Sequence, residues 1–136
     1  MKPVLICDDE PMVALDLEQM IYDAGLRPVG PARTFGEAME LAETTRPAIA
    51  IVDLNLADGV TGAHLARALW RRGTRIVVLS AVTEVIPALA GIPHVFITKP
   101  VDPDMVSDIL AIEAQRARLG DARPEFFPAL TPSAAL

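Results

Sequence analysis

The sequence predicts an α/β protein in which helices cover both faces of a parallel β-sheet. Three runs rich in Val and Ile are continuously apolar, as in strands buried on both faces: AIAIVDL (48–54), RIVVLSA (75–81) and HVFIT (94–98). Segments of helical periodicity separate the runs, and strand and helix alternate five times. That alternation favours right-handed crossovers within one sheet. The 136 residues fit one domain with a sizeable core.

The first strand and helix are marked by an apolar run and a proline. VLIC (4–7) predicts the strand, and Pro11 suits the first turn of a helix because its nitrogen has no hydrogen to donate. We expect the helix to stop near Gly25. Its apolar side carries Val13, Leu17, Ile21 and Ala24.

The second strand is only weakly indicated by the sequence, whereas the start of the second helix has a clear signal. RPV (27–29) predicts a short strand. Thr34 and Glu37 form a T-x-x-E capping box, which marks the start of a helix. The apolar residues of this helix are Ala38, Leu41 and Ala42.

Two further helices have clear bounds. One is predicted over residues 61–72 and ends at Gly73. The other begins at Pro103, after the capping residue Asp102. Their inward-facing residues are Leu65, Ala66 and Leu69 in the first, and Val106, Ile109 and Leu110 in the second.

The segment 84–93 interrupts this pattern. Pro87, Gly91 and Pro93 leave room for only a turn or two of helix, so the fourth helix should be short or distorted. After the domain body, residues 1–119, the segment 120–136 has three prolines and no usable period. We therefore expect a C-terminal tail outside the core, with no output domain.

Composition limits the function classes. The net charge of −6 disfavours direct nucleic-acid binding, which needs a basic face, so partners should be proteins or metal-bound anions. No apolar run approaches the ~18 residues of a membrane helix, and the N-terminus is too short for a secretory signal. These features predict a cytoplasmic protein without membrane insertion. The single cysteine, Cys7, lies in an apolar strand and is expected to be a core residue.

Polar residues end the predicted strands at one edge of the sheet, where open parallel sheets bind ligands. They are Asp8, Asp9, Asp53, Ser80 and Lys99. Two like charges ~4 Å apart repel by roughly 4 kcal/mol at an effective dielectric near 20, so the carboxylates need a cation. Lys99 supplies one charge, and Mg²⁺ suits the remaining oxygen ligands. A carboxylate so placed is equipped to attack phosphorus and form an aspartyl phosphate.

Each of these residues has a simpler interpretation when taken alone. Asp8, Asp9 and Glu10 would be exposed acids that favour the amino end of a helix. Asp53 would be a loop residue that terminates a strand, Ser80 would bond to backbone, and Lys99 would be a solvated charge. Only their joint placement at strand ends favours a functional site.

The residues at these strand ends resemble the receiver domain of bacterial two-component response regulators. The matching motifs occur in the family's order: CDDEP (7–11), VDLNLADG (52–59), LSA (79–81) and FITKP (96–100). The likeness covers residues 2 to about 119 and implies a flavodoxin-like (βα)5 sandwich with strand order 2-1-3-4-5.

The resemblance implies a Mg²⁺ site and a phosphoryl acceptor. Asp9 and Asp53 would ligate Mg²⁺ directly, Asp8 would act mainly through water, and Asn55 would contribute its backbone carbonyl. Asp53 would accept the phosphoryl group of a phosphohistidine in a sensor kinase or a histidine phosphotransfer protein. Self-phosphorylation and slow autodephosphorylation would be the only chemistry of this signalling domain.

The resemblance also implies a switch. Lys99 would contact the phosphoryl oxygens, Ser80 would turn toward them, and Phe96 holds the family's aromatic switch position. The readout would be a changed contact with a downstream protein target, and many receivers also form homodimers. However, the 19 residues from Ser80 to Lys99 are a few short for the family, which puts the usual partner geometry in question.

Two other function classes stay open. One is a receiver-like interaction module that signals without phosphorylation, although the full set of five residues argues against it. The other is a metal-dependent phosphohydrolase with an aspartyl nucleophile. Those enzymes carry D-x-D on the first strand, whereas this strand ends in Asp8-Asp9-Glu10.

Overall fold

The computed structural model describes residues 2–81 and 86–118. Within them, five parallel strands form one sheet in the order β2-β1-β3-β4-β5. The strands are β1 (Pro3–Cys7), β2 (Arg27–Ala32), β3 (Ile49–Asp53), β4 (Arg75–Ser80) and β5 (His94–Thr98). The predicted fold class and strand order are confirmed.

Four α-helices in the described ranges connect or follow the strands. They are α1 (Pro11–Asp23), α2 (Phe35–Thr45), α3 (Gly62–Arg71) and α4 (Pro103–Arg118). The predicted start signals hold: Pro11 and Pro103 are the first helical residues, and the Thr34 hydroxyl accepts a hydrogen bond from the Glu37 N–H at 3.2 Å. The Glu37 carboxylate accepts from the Arg33 N–H at 2.7 Å, one residue earlier than a capping box requires.

The fourth helical position is reduced to one 3₁₀ turn, Pro87–Leu89, in the described part of the connection between β4 and β5. This confirms the predicted short or distorted helix. Arg67 of α3 donates to the carbonyls of Ala88 and Ala90, at 3.1 and 2.8 Å. Those bonds tie the turn to α3 and satisfy carbonyls that a longer helix would have paired internally.

The edge strand β2 is longer than the predicted segment 27–29 and extends to Ala32. Its second half, Gly-Pro-Ala, has no apolar alternation that could reveal it in the sequence. Gly30 has a φ of +101°, and a Cβ there would lie 2.9 Å from the Ile6 carbonyl oxygen. The close passage of β2 along β1 therefore needs glycine at this position.

Two cores lie on opposite faces of the sheet, as period-two alternation requires. Leu5 and Cys7 of β1 face the core that α2 and α3 cover, whereas Val4 and Ile6 face the core that α1 and α4 cover. Burial raises the pKa of the Cys7 thiol, which fits a core role for this residue.

The described helices can be compared with the prediction that the chain does not insert into a membrane. None of those in the described ranges has both the length and the apolar character needed to cross a bilayer. The predicted tail, 120–136, lies outside the described residues.

Candidate functional site

Parallel pairing brings the carboxyl ends of four strands to one edge of the sheet. Cys7 pairs with Val52, and Ser80 pairs with Thr98. Residues that end or follow these strands therefore lie side by side, as predicted for Asp8, Asp53, Ser80 and Lys99. This edge is the candidate site.

Asp53 is the last residue of β3 and is only 3% exposed. Its Oδ1 accepts a hydrogen bond from the Asn55 N–H at 2.9 Å. Its Oδ2 accepts from the Lys99 ammonium at 2.6 Å. Both oxygens of the expected phosphoryl acceptor are thus engaged by donors.

Asp8 follows β1 and is 1% exposed. Its Oδ1 accepts from the Glu10 N–H at 2.9 Å, whereas its buried Oδ2 has no hydrogen-bond partner among the described residues. The pKa of Asp8 is raised to about 6. Burial is the largest cause, and the Asp53 carboxylate also raises this pKa, whereas the hydrogen bond from the Glu10 N–H and the charge of Lys99 lower it. Oδ2 therefore depends on a longer, 3.5 Å contact with the Lys99 ammonium.

Lys99 is the cation that these acids share. Its Nζ lies 2.6 Å from Asp53 Oδ2, 2.8 Å from Glu10 Oε1 and 3.5 Å from Asp8 Oδ2. Burial by itself would lower the pKa of Lys99, but its bonds to Asp53 and Glu10 raise the pKa above the ordinary value. The ammonium therefore stays charged.

Glu10 joins the site although the sequence predicts only a helix-starting role for it. One carboxylate oxygen each from Asp8, Glu10 and Asp53 lies within 4.8 Å of the others. Asp9 is half-buried and is not a member of this cluster, so its role as a direct Mg²⁺ ligand stays a prediction. Three consecutive acids are visible in the sequence, but the turn after β1 decides which of them face Lys99.

The other predicted site residues lie on the same strands or beside them. Ser80 is fully buried at the end of β4, and its carbonyl accepts from the Lys99 N–H at 2.8 Å. Phe96 is buried in the core covered by α2 and α3, opposite Val78 of β4. Asn55 is exposed two residues after Asp53. Their switch and ligand roles stay predictions.

Asp58, in the loop after Asp53, holds this loop by hydrogen bonds and is not a member of the acidic cluster. Its carboxylate accepts from the Thr61 hydroxyl at 2.8 Å and from the Phe35 N–H at 3.1 Å. These bonds lower the pKa of Asp58, and the bond from Thr61 has the largest effect. The D-G pair within VDLNLADG predicts a turn. The hydrogen bond from Phe35 of α2 to Asp58 is not predictable from the sequence, because it joins residues of separate elements.

The donor set fits Mg²⁺. Hard divalent cations take oxygen ligands, and the cluster presents three carboxylates, those of Asp8, Glu10 and Asp53. Asp8 Oδ2 is the atom that most favours a cation. It is buried, has no hydrogen bond among the described residues, and lies 3.5 Å from an ammonium that Glu10 and Asp53 hold more closely.

Comparison with known proteins identifies the family of the chain. The family model described as the response regulator receiver domain matches residues 4–111. The curated protein PhyR, a phyllosphere-induced regulator of Methylorubrum extorquens, is 32% identical over 111 residues, which are 79% of this chain and 42% of that protein. The chain thus spans less than half the length of this relative.

Solved structures show the likeness in three dimensions. The receiver domain of Erythrobacter litoralis PhyR has a TM-score of 0.75 and 25% identity, over 84% of this chain and 90% of that one. A variant of PhyR from Bartonella quintana, named an anti-anti-sigma factor, has a TM-score of 0.70 and 29% identity, over 87% of this chain and 50% of that one. With the matched family model, the strand order and the acidic edge, these similarities show that the chain belongs to the receiver domain family of two-component response regulators.

Proposed function

We propose that this receiver domain is a phosphorylation-controlled response regulator whose phosphoryl acceptor is Asp53. The donor is the phosphohistidine of a sensor kinase or of a histidine phosphotransfer protein, and the reaction depends on Mg²⁺. The observation that supports this most directly is the buried Asp53 carboxylate, hydrogen-bonded to Lys99 at 2.6 Å beside two further carboxylates. A structural ion pair does not need this excess of negative charge.

The transfer balances without a further reactant. An Asp53 carboxylate oxygen forms a bond to phosphorus while the bond from phosphorus to the imidazole nitrogen breaks. The imidazole, protonated on its other ring nitrogen, leaves as a neutral ring with the electron pair. Lys99 leaves Asp53 and donates to the phosphoryl oxygens, which neutralises charge that develops there. Asp8, Asp9, Asp53 and the Asn55 carbonyl are the residues that would hold Mg²⁺. The metal, when bound, supplies positive charge to the transferred group.

The switch uses residues of β4 and β5. The phosphoryl group offers new acceptors at the strand ends, and Ser80 turns toward them from the end of β4. The movement of Ser80 changes the packing around Phe96, which biases two arrangements of the neighbouring surface. The contacts of the domain with other proteins change as a result.

The output is a protein–protein interaction. The anti-anti-sigma name of the Bartonella quintana relative supports a protein target, and the charge of −6 argues against direct nucleic-acid binding. A homodimer is a further partner to test. The protein acts here as a signalling domain, with self-phosphorylation and slow autodephosphorylation as its only chemistry.

The test is to locate the phosphate. Protein incubated with acetyl phosphate and Mg²⁺ should gain one base-labile phosphoryl group on the peptide that contains Asp53, as seen by mass spectrometry. Asp53→Asn should abolish the label, and removal of Mg²⁺ with a chelator should reduce it strongly. Asp16→Asn, an exposed acid on α1, is the matched control and should label like the unchanged protein.

The alternative classes predict different results. No label from acetyl phosphate or from phosphohistidine donors would favour an interaction module that works without phosphorylation. Turnover of many phosphoesters would favour a phosphohydrolase. Full labelling of Asp53→Asn would refute the assignment of Asp53.

A further inference from the structure

The contacts of Glu10 point to a role that goes beyond the start of α1. We propose that Glu10 is a positioning residue for Lys99: it receives the ammonium when this leaves Asp53 and keeps it beside the incoming phosphoryl group. The inference rests on the proposed function, because it concerns the step in which Asp53 becomes a nucleophile.

Lys99 blocks Asp53 before the reaction. Asp53 Oδ1 accepts from the Asn55 N–H and Oδ2 accepts from Lys99, so both oxygens are hydrogen-bonded. An oxygen that holds an ammonium is a poor nucleophile, since its lone pairs are stabilised by the positive charge. Lys99 must therefore move away from Oδ2, or share its charge, before Asp53 attacks phosphorus.

Two carboxylates near Asp53 can receive the ammonium, and they differ in position. Asp8 Oδ2 lies 3.5 Å from Nζ and its side chain is fully buried. Glu10 Oε1 lies 2.8 Å from Nζ, and its side chain is 59% exposed. A phosphoryl donor approaches from solvent. Movement toward Glu10 thus keeps the ammonium on the side of the donor, whereas movement toward Asp8 withdraws it into the protein.

Glu10 is also placed to receive the Lys99 ammonium without a change in its own backbone. It is the residue before α1, and its side chain makes no helix-capping bond. Its N–H donates to Asp8 Oδ1 at 2.9 Å, which fixes the turn between β1 and α1. The carboxylate is therefore held at the site by its backbone, yet keeps its side-chain freedom to follow Lys99.

The experiment is a double-mutant cycle on the rate of phosphorylation by acetyl phosphate, at saturating Mg²⁺. Glu10→Gln keeps the shape but removes the charge, so Lys99 stays longer on Asp53. We expect the rate to fall about fivefold, the size typical of one lost charge-assisted contact. In the Lys99→Gln background the same change should not slow the reaction, and Glu10→Asp should restore part of the rate. Glu40→Gln, an exposed acid on α2, is the control and should have no effect.

A second readout does not need phosphorylation. In metal-free protein, the ammonium resonance of Lys99, identified by its loss in Lys99→Gln, should exchange with water several-fold faster in Glu10→Gln than in the unchanged protein. Unaltered exchange would show that Glu10 does not hold the Lys99 ammonium in solution, which would overturn the proposal. An unchanged or faster rate in Glu10→Gln, or equal slowing with and without Lys99, would overturn the positioning role.

The two failures can be told apart. If the unchanged protein gains no phosphate at Asp53, the proposed function is wrong, but the contact of Glu10 with Lys99 is not thereby disproved. The exchange of the Lys99 ammonium then decides alone whether Glu10 holds it.

Discussion

At the scale of the residue, the charge balance around Lys99 decides the behaviour of the site. One ammonium faces the carboxylates of Asp8, Glu10 and Asp53. Asp8 is the most deeply buried of the three, and its Oδ2 has no hydrogen-bond donor in the described part of the chain. The cluster thus carries excess negative charge in the metal-free protein, and this excess would favour binding of a divalent cation.

Asp8 should make the metal-free protein less stable as pH rises. Its pKa is raised from the ordinary 3.8 to about 6, so between these values the folded protein binds more protons at Asp8 than the unfolded chain does. The stability contributed by this group is therefore present below about pH 4 and is lost as pH rises through about 6. Asp8→Asn should raise the free energy of unfolding at pH 7 by about 1–3 kcal/mol.

Urea denaturation in the presence of a chelator, at several pH values, measures this effect. The profile of Asp8→Asn should be flatter between pH 4 and 7 than that of the unchanged protein. Asp16→Asn on the exposed side of α1 serves as the control. Equal profiles for Asp8→Asn and the unchanged protein would show that Asp8 has an ordinary pKa.

At the scale of the element, the start of α3 is packed directly against the phosphoryl acceptor. Gly62 is the first residue of α3, and its N–H donates to the Leu54 carbonyl at 3.1 Å. A Cβ at position 62 would lie 2.1 Å from the Asp53 carbonyl oxygen and 2.5 Å from the Leu54 Cα. The helix reaches the end of β3 this closely because glycine leaves no side chain between them.

Gly62→Ala should therefore destabilise the fold and disturb the site. The added methyl group meets backbone atoms that cannot rotate away, and overpacking of this kind costs about 1–3 kcal/mol. Phosphorylation of Asp53 should slow as well, because relief of the clash shifts the end of β3. Urea denaturation and the acetyl phosphate reaction measure the two effects.

Gly36 offers the matched control within α2. A Cβ at this position meets nothing within 4 Å, so Gly36→Ala should be neutral or stabilise the protein by up to about 1 kcal/mol. If both alanine variants behaved alike, the close approach of α3 to β3 would be wrong.

At the scale of the whole molecule, a buried ion pair joins the last helix to the sheet at the edge opposite the site. Arg75 is the first residue of β4, and its guanidinium pairs with Glu113 of α4, with both side chains buried. An exposed pair, Arg72 with Glu43 at 2.8 Å, joins the region of α3 to α2. The two pairs differ chiefly in their burial.

Glu113→Gln should therefore destabilise the protein far more than Glu43→Gln. Glu113→Gln removes a charged partner of Arg75 inside the protein, and breaking a buried ion pair costs about 3–5 kcal/mol. The exposed pair is screened by water and should contribute less than about 1 kcal/mol. Thermal and urea unfolding compare the variants. Glu113→Gln should still label Asp53 at temperatures where it is folded, because the pair lies far from the site.

The division between the domain body, 1–119, and the tail, 120–136, is a proposal that truncation can test. Among the described buried residues of the two cores, the last along the chain is Ala114 of α4. A chain of residues 1–119 should therefore keep the unfolding midpoint and the labelling of Asp53. A drop of several degrees in the midpoint would show that the tail packs on the domain.

The sequence by itself determined most of the architecture and the location of the site. Continuous apolar runs specify buried parallel strands, and proline, threonine and glycine signals mark where the helices begin and end, because these patterns reflect local backbone chemistry. Asp8, Asp53, Ser80 and Lys99 could be placed at one edge because parallel strands bring their carboxyl ends together.

Only the tertiary structure decided which side chains meet. Glu10 faces Lys99 because the turn after β1 points its carboxylate toward β5, and no periodicity reports that direction. The same holds for the contact of Gly62 with β3 and for the pairing of Arg75 with Glu113, which are 38 residues apart. Such contacts depend on how separate elements pack, whereas sequence patterns report each element's own conformation and buried face.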